Sequence, residues 1–271
     1  MESRERASFA TVSRLNLCIA GATGWTGSAL GEAVVAADDL ELRSAVSRSA
    51  AGGEIAGAPV YATVAEALDQ VDVLVDYTSH DIVKANALAA IGRGVAVVIG
   101  TSGLTADDFA DIDSAARDRG VGVIAAGNFS LTAAMAQAAA LLAARHLPAW
   151  EVIDYASAGK PDAPSGTARE LAERLGASQK ERPVAETAGT PEARGADIAG
   201  TQVHSLRLPS FTVSTEVVFA LPDERLSIRH DAGSSAAPYV AGTLLAARAA
   251  PSTTGLVRGL DTLLLGYPPP T

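Results

Sequence analysis

The sequence predicts an α/β fold in two parts, a doubly wound parallel sheet followed by a smaller α+β domain. Apolar runs alternate with helical patterns over the first 130 residues, a glycine-rich turn follows the first run, and strand-like segments adjoin one another after residue 200. The 271 residues suffice for two domains of roughly 150 residues each. We expect one domain to comprise 1–130 and 241–271, and the other to comprise 131–240.

The first part alternates between strand and helix. Helices are expected through Leu30 and Val34, over 81–92 and over 105–118. Strands are expected at 15–20, 42–46, 71–75, 95–99 and 121–125. Because strands alternate with helices, they form βαβ units whose parallel sheet is buried on both faces.

The second part has a different order of elements. These are a helix over 131–146, a strand over 151–155, a helix through Leu171, strands within 202–230, and a helix over 238–249. Strands without intervening helices indicate a mixed or antiparallel sheet. Residues 176–200 lack periodicity, and we expect a long mobile loop there.

Composition excludes several classes of function. Hydrophobic residues make up 48% and charged residues 19%, a globular balance, and the net charge of −10 disfavours a nucleic-acid partner. The N-terminus lacks an apolar signal core, and no apolar run is long enough to span a membrane, so we expect a cytoplasmic protein. The single cysteine, Cys18, offers neither a disulfide nor a metal site. It is expected to be a packed thiol rather than a nucleophile.

A glycine-rich turn joins the first strand to the first helix. Glycines let a pyrophosphate approach the backbone, and the N–H groups at a helix N-terminus attract its charge. Glycines at this spacing also occur in purely structural turns, but the preceding strand and following helix favour a dinucleotide site of the Rossmann type. The predicted cofactor-binding residues here are Gly21, Thr23, Gly24, Trp25, Thr26 and Gly27.

The end of the second strand predicts which dinucleotide binds. Ser47 and Arg48 stand where an acidic residue would accept a hydrogen bond from the ribose of NADH. Serine and arginine suit the 2′-phosphate of NADPH instead. The sequence therefore favours NADPH, with NADH possible; the alternative is that Arg48 is a solvated surface residue.

Four motifs in order resemble the dihydrodipicolinate reductase family over nearly the whole chain from Leu15. They are Asp76-Tyr-Thr78, Gly100-Thr-Ser-Gly103, Asn128-Phe-Ser130 and Lys160-Pro-Asp-Ala-Pro-Ser-Gly-Thr-Ala168. The resemblance implies hydride transfer from NAD(P)H to a cyclic, imine-type dicarboxylic acid in lysine biosynthesis. It also implies a homotetramer in which the second domain binds substrate and mediates assembly.

The resemblance assigns residues to both ends of the site. The implied cofactor-binding residues are Asp76, Thr78, Gly100, Thr101, Ser102, Asn128 and Phe129. Lys160 is the implied catalytic residue, and Ser165, Gly166 and Thr167 would bind a substrate carboxylate. A Ser-Gly-Thr helix start is independently an anion site, with backbone N–H groups and two hydroxyls converging, although a plain capped helix is the alternative.

The chain also departs from the family. Ala156 and Ser157 stand where the resemblance places a His-His pair, and alanine cannot transfer a proton. Lys160 is then the remaining candidate proton donor, with Tyr155 a weaker one. Trp25-Thr26 replaces an Arg-Met pair, and Ser235 or Ala236 replaces an arginine.

These losses concentrate in the predicted substrate pocket, so three hypotheses about the function remain. The chain is a reductase of the family substrate or a close relative, a divergent reductase of a different cyclic imine from another pathway, or a non-catalytic NADPH-binding homologue. Retention of Lys160 and of the Ser165–Thr167 segment favours an enzyme. His230 and His204 are expected in strands of the second domain, His146 at a helix end and His80 in a loop.

Overall fold

A computed structural model describes residues 14–178 and 188–266 of the protein. The strands of its first sheet are β1 (Leu15–Ala20), β2 (Leu40–Val46), β3 (Glu54–Ile55), β4 (Ala58–Tyr61), β5 (Val73–Asp76), β6 (Ala96–Ile99), β7 (Gly122–Ala125) and β13 (Gly255–Arg258). They lie in the order β13-β7-β6-β5-β1-β2-β4-β3. All neighbours pair in parallel except the β3–β4 hairpin. The predicted parallel sheet is confirmed.

Helices cover this sheet. They are α1 (Trp25–Val35), α2 (Val64–Ala67), α3 (His80–Gly92) and α4 (Ala106–Arg119). Every residue of β5, β6 and β7 is buried, as expected for strands covered on both faces. Local sequence signals set both ends of α4. It begins at a Thr105–Asp108 capping box and ends at Gly120, whose φ is 65°.

The second sheet is mixed, as predicted. Its elements are α5 (Leu131–Ala144), β8 (Ala149–Ala156), α6 (Gly166–Ala177), β9 (Ala196–Ile198), β10 (Thr201–Arg207), β11 (Val213–Leu221) and β12 (Glu224–Asp231). The strand order is β12-β11-β8-β10-β9, and only β8 and β10 pair in parallel. A separate core of α5, α6 and this sheet contains Trp150, Leu175 and Phe219.

The expectation of a single long loop over 176–200 is wrong for the part that the structure describes. Helix α6 continues to Ala177, and β9 pairs with β10 through a two-residue turn at Ala199 and Gly200, with φ of 51° and 82°. Ala56 and Gly57 form the same turn between β3 and β4, a hairpin that was not predicted. Both turns carry alanine at a position that usually signals a hairpin through asparagine or aspartate, so the signal is weak. Residues 179–187 lie outside the described residues.

The chain finally returns to the first core. Helices α7 (Ala237–Ala249) and α8 (Leu260–Leu265) follow the second sheet, and Leu244 and Leu260 are buried with the residues of the first sheet. The domain boundaries at 130 and 241 stay a prediction. Within 14–178 and 188–266, no helix is long and apolar enough to cross a membrane.

Candidate functional site

The glycine turn brings backbone segments together more closely than any side chain would allow. Gly21 has φ +81°, and a Cβ added to it would lie 2.3 Å from the carbonyl oxygen of Tyr77. A Cβ on Gly27 would lie 2.1 Å from the oxygen of Gly21. In the first turn of α1, the N–H groups of Trp25 and Thr26 have no acceptor among the described residues. This turn therefore fits the pyrophosphate of a dinucleotide.

The end of β2 lies beside the glycine turn. The hydroxyl oxygens of Thr23 and Ser47 are 2.8 Å apart, and those of Ser47 and Ser49 are 3.2 Å apart. Ser47 is buried, whereas Arg48 is exposed and has no ion pair with any residue that the structure describes. Gly24 is the N-cap of α1. The hydroxyls and the unpaired guanidinium thus flank the place expected for the adenosine ribose.

The buried carboxylate of Asp76 holds the two loops that contain Thr78 and Thr101. Its carboxylate is fully buried and accepts hydrogen bonds from the Thr78 hydroxyl (2.6 Å), the Thr101 hydroxyl (2.8 Å) and the Asn86 amide (2.8 Å). The Thr78 N–H donates as well, at 2.9 Å. With these donors, Asp76 acts through the threonines rather than at the cleft surface. Asn86 was not predicted, because it lies on α3 and meets Asp76 at the end of β5 only in the folded protein.

The Gly100–Ser102 segment packs against both halves of the molecule. A Cβ on Gly100 would lie 2.2 Å from the Tyr77 ring, so glycine is required where that ring passes. The Tyr77 hydroxyl is 2.7 Å from that of Thr243, and burial raises the pKa of Tyr77. On the other side, a Cβ on Gly166 would lie 2.9 Å from that of Ser102. The loop therefore touches the start of α6.

The segment after β7 is tied to the same helix. The Asn128 amide donates to the Thr167 hydroxyl oxygen (3.2 Å), and that hydroxyl donates to the Gly127 carbonyl (3.0 Å). The buried carboxylate of Glu170 accepts the Gly127 N–H, and burial raises the pKa of Glu170. Phe129 is buried beside them, with its ring centroid 6.3 Å from that of Tyr77. Glu170 was not predicted, since helical spacing alone gives it no role.

The start of α6 is held by a second buried aspartate. Asp154 accepts the Ser165 hydroxyl (2.6 Å), the Ser165 N–H (2.9 Å) and the Arg207 guanidinium (2.7 Å). Burial alone would raise the pKa of the Asp154 carboxyl, but the hydrogen bonds from Ser165 and Arg207 outweigh it, and this pKa lies below its ordinary value. The Ser165 hydroxyl oxygen also accepts the Ala168 N–H and caps the helix.

This geometry corrects the expectation that two hydroxyls converge on a ligand. The hydroxyl of Ser165 donates to Asp154 and that of Thr167 donates to Gly127. The donors left in the first turn of α6 are the N–H groups of Gly166 and Thr167, which have no acceptor in the described part of the chain. Lys160 Nζ lies 2.8 Å from a carboxylate oxygen of Asp162. An anion would be held mainly by backbone groups.

One cleft of about 200 Å³ combines both helix starts. Of the predicted site residues it contains Trp25, Thr26, Gly100, Ser102, Asn128, Phe129, Lys160, Ser165, Gly166 and Thr167. It continues, through Gly100 and Ser102, into an open groove of about 510 Å³ lined by Thr78 and Thr101. The predicted residues that line neither space are Gly21, Thr23, Gly24, Gly27, Ser47, Arg48 and Asp76. Tyr239 and Val213 line the cleft and were not predicted.

Among the described residues no imidazole lines this cleft, but His80 lines the open groove that adjoins it. Ala156, at one position of the missing histidine pair, is fully buried at the end of β8. His204 pairs with Glu151 at 2.7 Å, and His230 lies 3.1 Å from the Thr132 hydroxyl. Burial lowers the pKa of His230. In the described part of the chain, the cleft itself therefore holds no histidine in place of the proton-donating histidine that the resemblance implies.

The first turns of α1 and α6, each with N–H groups that have no acceptor among the described residues, meet at one cleft, and a glycine turn precedes α1. This arrangement is typical of a dinucleotide-dependent oxidoreductase. Two family models match the chain, described as dihydrodipicolinate reductase N-terminus over residues 15–129 and dihydrodipicolinate reductase C-terminus over residues 127–264. The chain belongs to the dihydrodipicolinate reductase family. The two models together cover both sheets.

Individual proteins agree with this assignment. The 4-hydroxy-tetrahydrodipicolinate reductase of Synechococcus elongatus is 36% identical over 90% of this chain and 96% of its own length. That of Mycobacterium sp. strain KMS is 35% identical over 91% and 97%. A dipicolinate-bound dihydrodipicolinate reductase from Paenisporosarcina sp. TG-14 superposes with a TM-score of 0.74 at 25% identity, over 92% and 99%.

Proposed function

We propose that this protein is an NADPH-dependent reductase of the C=N bond in a cyclic, imine-type dicarboxylic acid. The observation that carries the proposal is the single cleft lined by the first turns of both α1 and α6. One helix start suits the dinucleotide and the other suits a carboxylate, so the two reactants would meet between them.

The cofactor end favours NADPH. Its pyrophosphate would lie against Gly21, Gly24 and the first turn of α1, while Ser47 and Arg48 meet the 2′-phosphate. When bound, NADPH supplies a hydride for the imine carbon. Thr78, Thr101 and Ser102 line the path from the ribose towards the reacting end.

Lys160 is the proposed proton donor. It lines the cleft beside Gly166 and Thr167, its side chain is 28% exposed, and Asp162 holds it in place. An ammonium carries three N–H groups, so it can contact a carboxylate and also protonate the adjacent imine nitrogen.

Variants of Lys160 test this role. Lys160→Arg keeps the charge but not the acidity, so kcat should fall by about 10²–10⁴-fold with little change in KM. Lys160→Met should lower kcat equally and raise KM as well. Unchanged turnover in Lys160→Arg would exclude Lys160 as the acid.

The substrate has two candidates. One is the dipicolinate-type substrate, named as 4-hydroxy-tetrahydrodipicolinate in the two relatives and as dihydrodipicolinate in the family models. The other is a different cyclic imine, favoured by the replacement of the histidine pair with Ala156 and Ser157. NADPH oxidation should be measured with freshly generated dihydrodipicolinate beside a panel of cyclic imines. Tight NADPH binding without oxidation of any of them would favour a non-catalytic homologue.

We further propose that the protein assembles as a homotetramer through the second sheet. The outer strand β12 is exposed along most of its length and includes Leu226, with Leu221 exposed at the end of β11. An exposed sheet of this kind suits assembly with further copies. Light scattering of the intact protein tests the mass.

A further inference from the structure

Where the chain leaves the first sheet after β7, side chains of α6 bind both backbone polar groups of one residue, Gly127. Its N–H donates to the buried carboxylate of Glu170, and its carbonyl accepts the Thr167 hydroxyl at 3.0 Å. Thr167 and Glu170 are three positions apart on α6, so they lie on the same face of the helix. A Cβ on Gly127 would lie 2.6 Å from the carbonyl oxygen of Gly166. The end of the first sheet is therefore bound directly to the start of α6.

This contact joins the two ends of the cleft. On one side, Gly127 directly precedes Asn128 and Phe129, which are predicted to bind the cofactor. On the other side, the first turn of α6 carries the N–H groups of Gly166 and Thr167, which have no acceptor in the described part of the chain. The two sheets have separate cores. Packing within one core therefore does not set the distance between the cofactor end and the substrate end.

The carboxylate of Glu170 is costly where it lies. The residue is 5% exposed, and burial of a carboxylate is unfavourable unless charges and hydrogen bonds compensate for it. Arg174 lies 3.6 Å away, but its guanidinium already donates twice to the buried carboxylate of Asp261, at 2.6 and 2.7 Å. The Gln137 amide adds one bond at 3.3 Å. Two buried acids thus share one cation, so the stability of α6 alone gives no reason for an acid at this position.

We propose that Glu170 is a positioning residue: by accepting the Gly127 N–H, it fixes the carboxylate-binding turn of α6 against the cofactor-binding segment that follows β7. Glu170 does not line the cleft and acts only through Gly127. Hydride transfer requires a close and aligned approach of the two reactants, and a displacement of about 1 Å can lower a rate about 10²-fold. This inference rests on the proposed reductase function.

Replacements of Glu170 separate positioning from stability. Glu170→Met fills the space but cannot accept the Gly127 N–H, so kcat for the reduction of dihydrodipicolinate by NADPH should fall about 10–10²-fold with little change in KM. Glu170→Ala lacks the acceptor too and gives a second measurement of the same loss. Glu170→Gln keeps an amide oxygen for the Gly127 N–H, so kcat should stay near the native value even if urea denaturation shows a less stable fold. A fall in kcat that is equally large in Glu170→Gln would overturn the proposal.

Glu173 provides the matched control on the same helix. It pairs with Arg258 of β13 at 3.2 Å, so it also joins α6 to the first sheet, but its ion pair involves no backbone group of Gly127. Glu173→Met should therefore leave kcat unchanged. An equal fall in Glu173→Met would show that any contact between α6 and the first sheet has this effect, and the specific role of Glu170 would be wrong.

Binding measures the same role without turnover. Calorimetry gives the affinity of the full chain for pyridine-2,6-dicarboxylate with and without saturating NADP⁺. In the native chain the dicarboxylate should bind about fivefold or more tightly when NADP⁺ is present, because the two ligands are held side by side. Glu170→Met should lose most of this gain and keep the affinity measured without NADP⁺, whereas Glu170→Gln should keep the gain.

The outcomes separate this inference from the reductase function. If the native chain binds NADP⁺ and reduces the imine, but Glu170→Met has the same kcat and the same gain, the positioning role is wrong and the reductase function stands. The absence of any gain in the native chain would also overturn the positioning role. A native chain that binds no NADP⁺ would overturn the reductase function, and the inference with it.

Discussion

The cofactor end and the substrate end of the cleft each rest on a buried aspartate, and the two aspartates are stabilised differently. Asp76 is surrounded by neutral donors, the hydroxyls of Thr78 and Thr101 and the amide of Asn86. Asp154 has one cation, Arg207, beside the hydroxyl and N–H of Ser165. The substrate end therefore depends on a buried ion pair, whereas the cofactor end depends on hydrogen bonds alone.

The difference has a consequence for how each end tolerates change. Losing one neutral donor at Asp76 leaves the other donors in place. Losing Arg207 leaves a buried carboxylate without its counter-charge, which costs far more than an ordinary hydrogen bond.

The largest effect is expected for Arg207→Met. Because Asp154 is fully buried, the variant should lose about 3–5 kcal/mol of unfolding free energy, measured by urea denaturation. Asn86→Ala, which removes one neutral donor from Asp76, is the matched comparison and should lose about 1–3 kcal/mol. Equal losses in the two variants would contradict the distinction between the two ends.

Arg48→Ala tests the edge of the cofactor end. Losing a charge-assisted contact to the 2′-phosphate should weaken NADPH binding by about 1.5–3 kcal/mol and leave NADH unaffected. Fluorescence titration with both cofactors measures this, and Arg43→Ala, at a half-buried arginine of β2 that donates to Gln70, is the control. If the native chain bound NADPH and NADH with equal affinity, the proposed preference for NADPH would be wrong.

At acidic pH, the difference in unfolding free energy between the native chain and Arg207→Met should become smaller. The pKa of Asp154 is lowered in the folded protein, so its stabilisation is present above the ordinary pKa of about 3.9 and is lost as the pH falls towards the lowered folded value. In Arg207→Met, burial would instead raise this pKa, and protonation would relieve the buried charge. Urea midpoints between about pH 6 and pH 3 should therefore converge; a constant gap would argue against the ion pair.

The smallest effects are expected for the hydroxyls of Ser165 and Thr167 at the start of α6, which have different roles. Ser165→Ala removes the helix cap and a bond to Asp154, and should lose about 1–2 kcal/mol of stability. Thr167→Val removes its bonds to Gly127 and Asn128 beside the substrate, and should raise KM about fivefold to tenfold. NADPH affinity should stay nearly unchanged in both. A drop in NADPH affinity would place this segment with the cofactor.

Much of the fold follows from local patterns. Strands β1, β2, β5, β6 and β7 of the first sheet, the helices α3, α4, α5 and α7, and the mixed second sheet agree with the predictions because burial repeats at the spacing of each element. The hairpins at Ala56–Gly57 and Ala199–Gly200 were missed because their alanines give little turn signal. Strand β13 was missed because its sequence, Gly255-Leu-Val-Arg258, has only two consecutive apolar residues.

The sequence by itself determined the glycine turn, the order of the motifs and the loss of the histidine pair, because each is carried by neighbouring residues. Only the tertiary structure decided what the polar side chains do. Arg207 reaches Asp154 from 53 positions away, and Thr101 reaches Asp76 from 25 positions away. Such partners meet only when strand ends align at one edge of a sheet, and a hydroxyl bound by a buried carboxylate cannot also donate to a ligand.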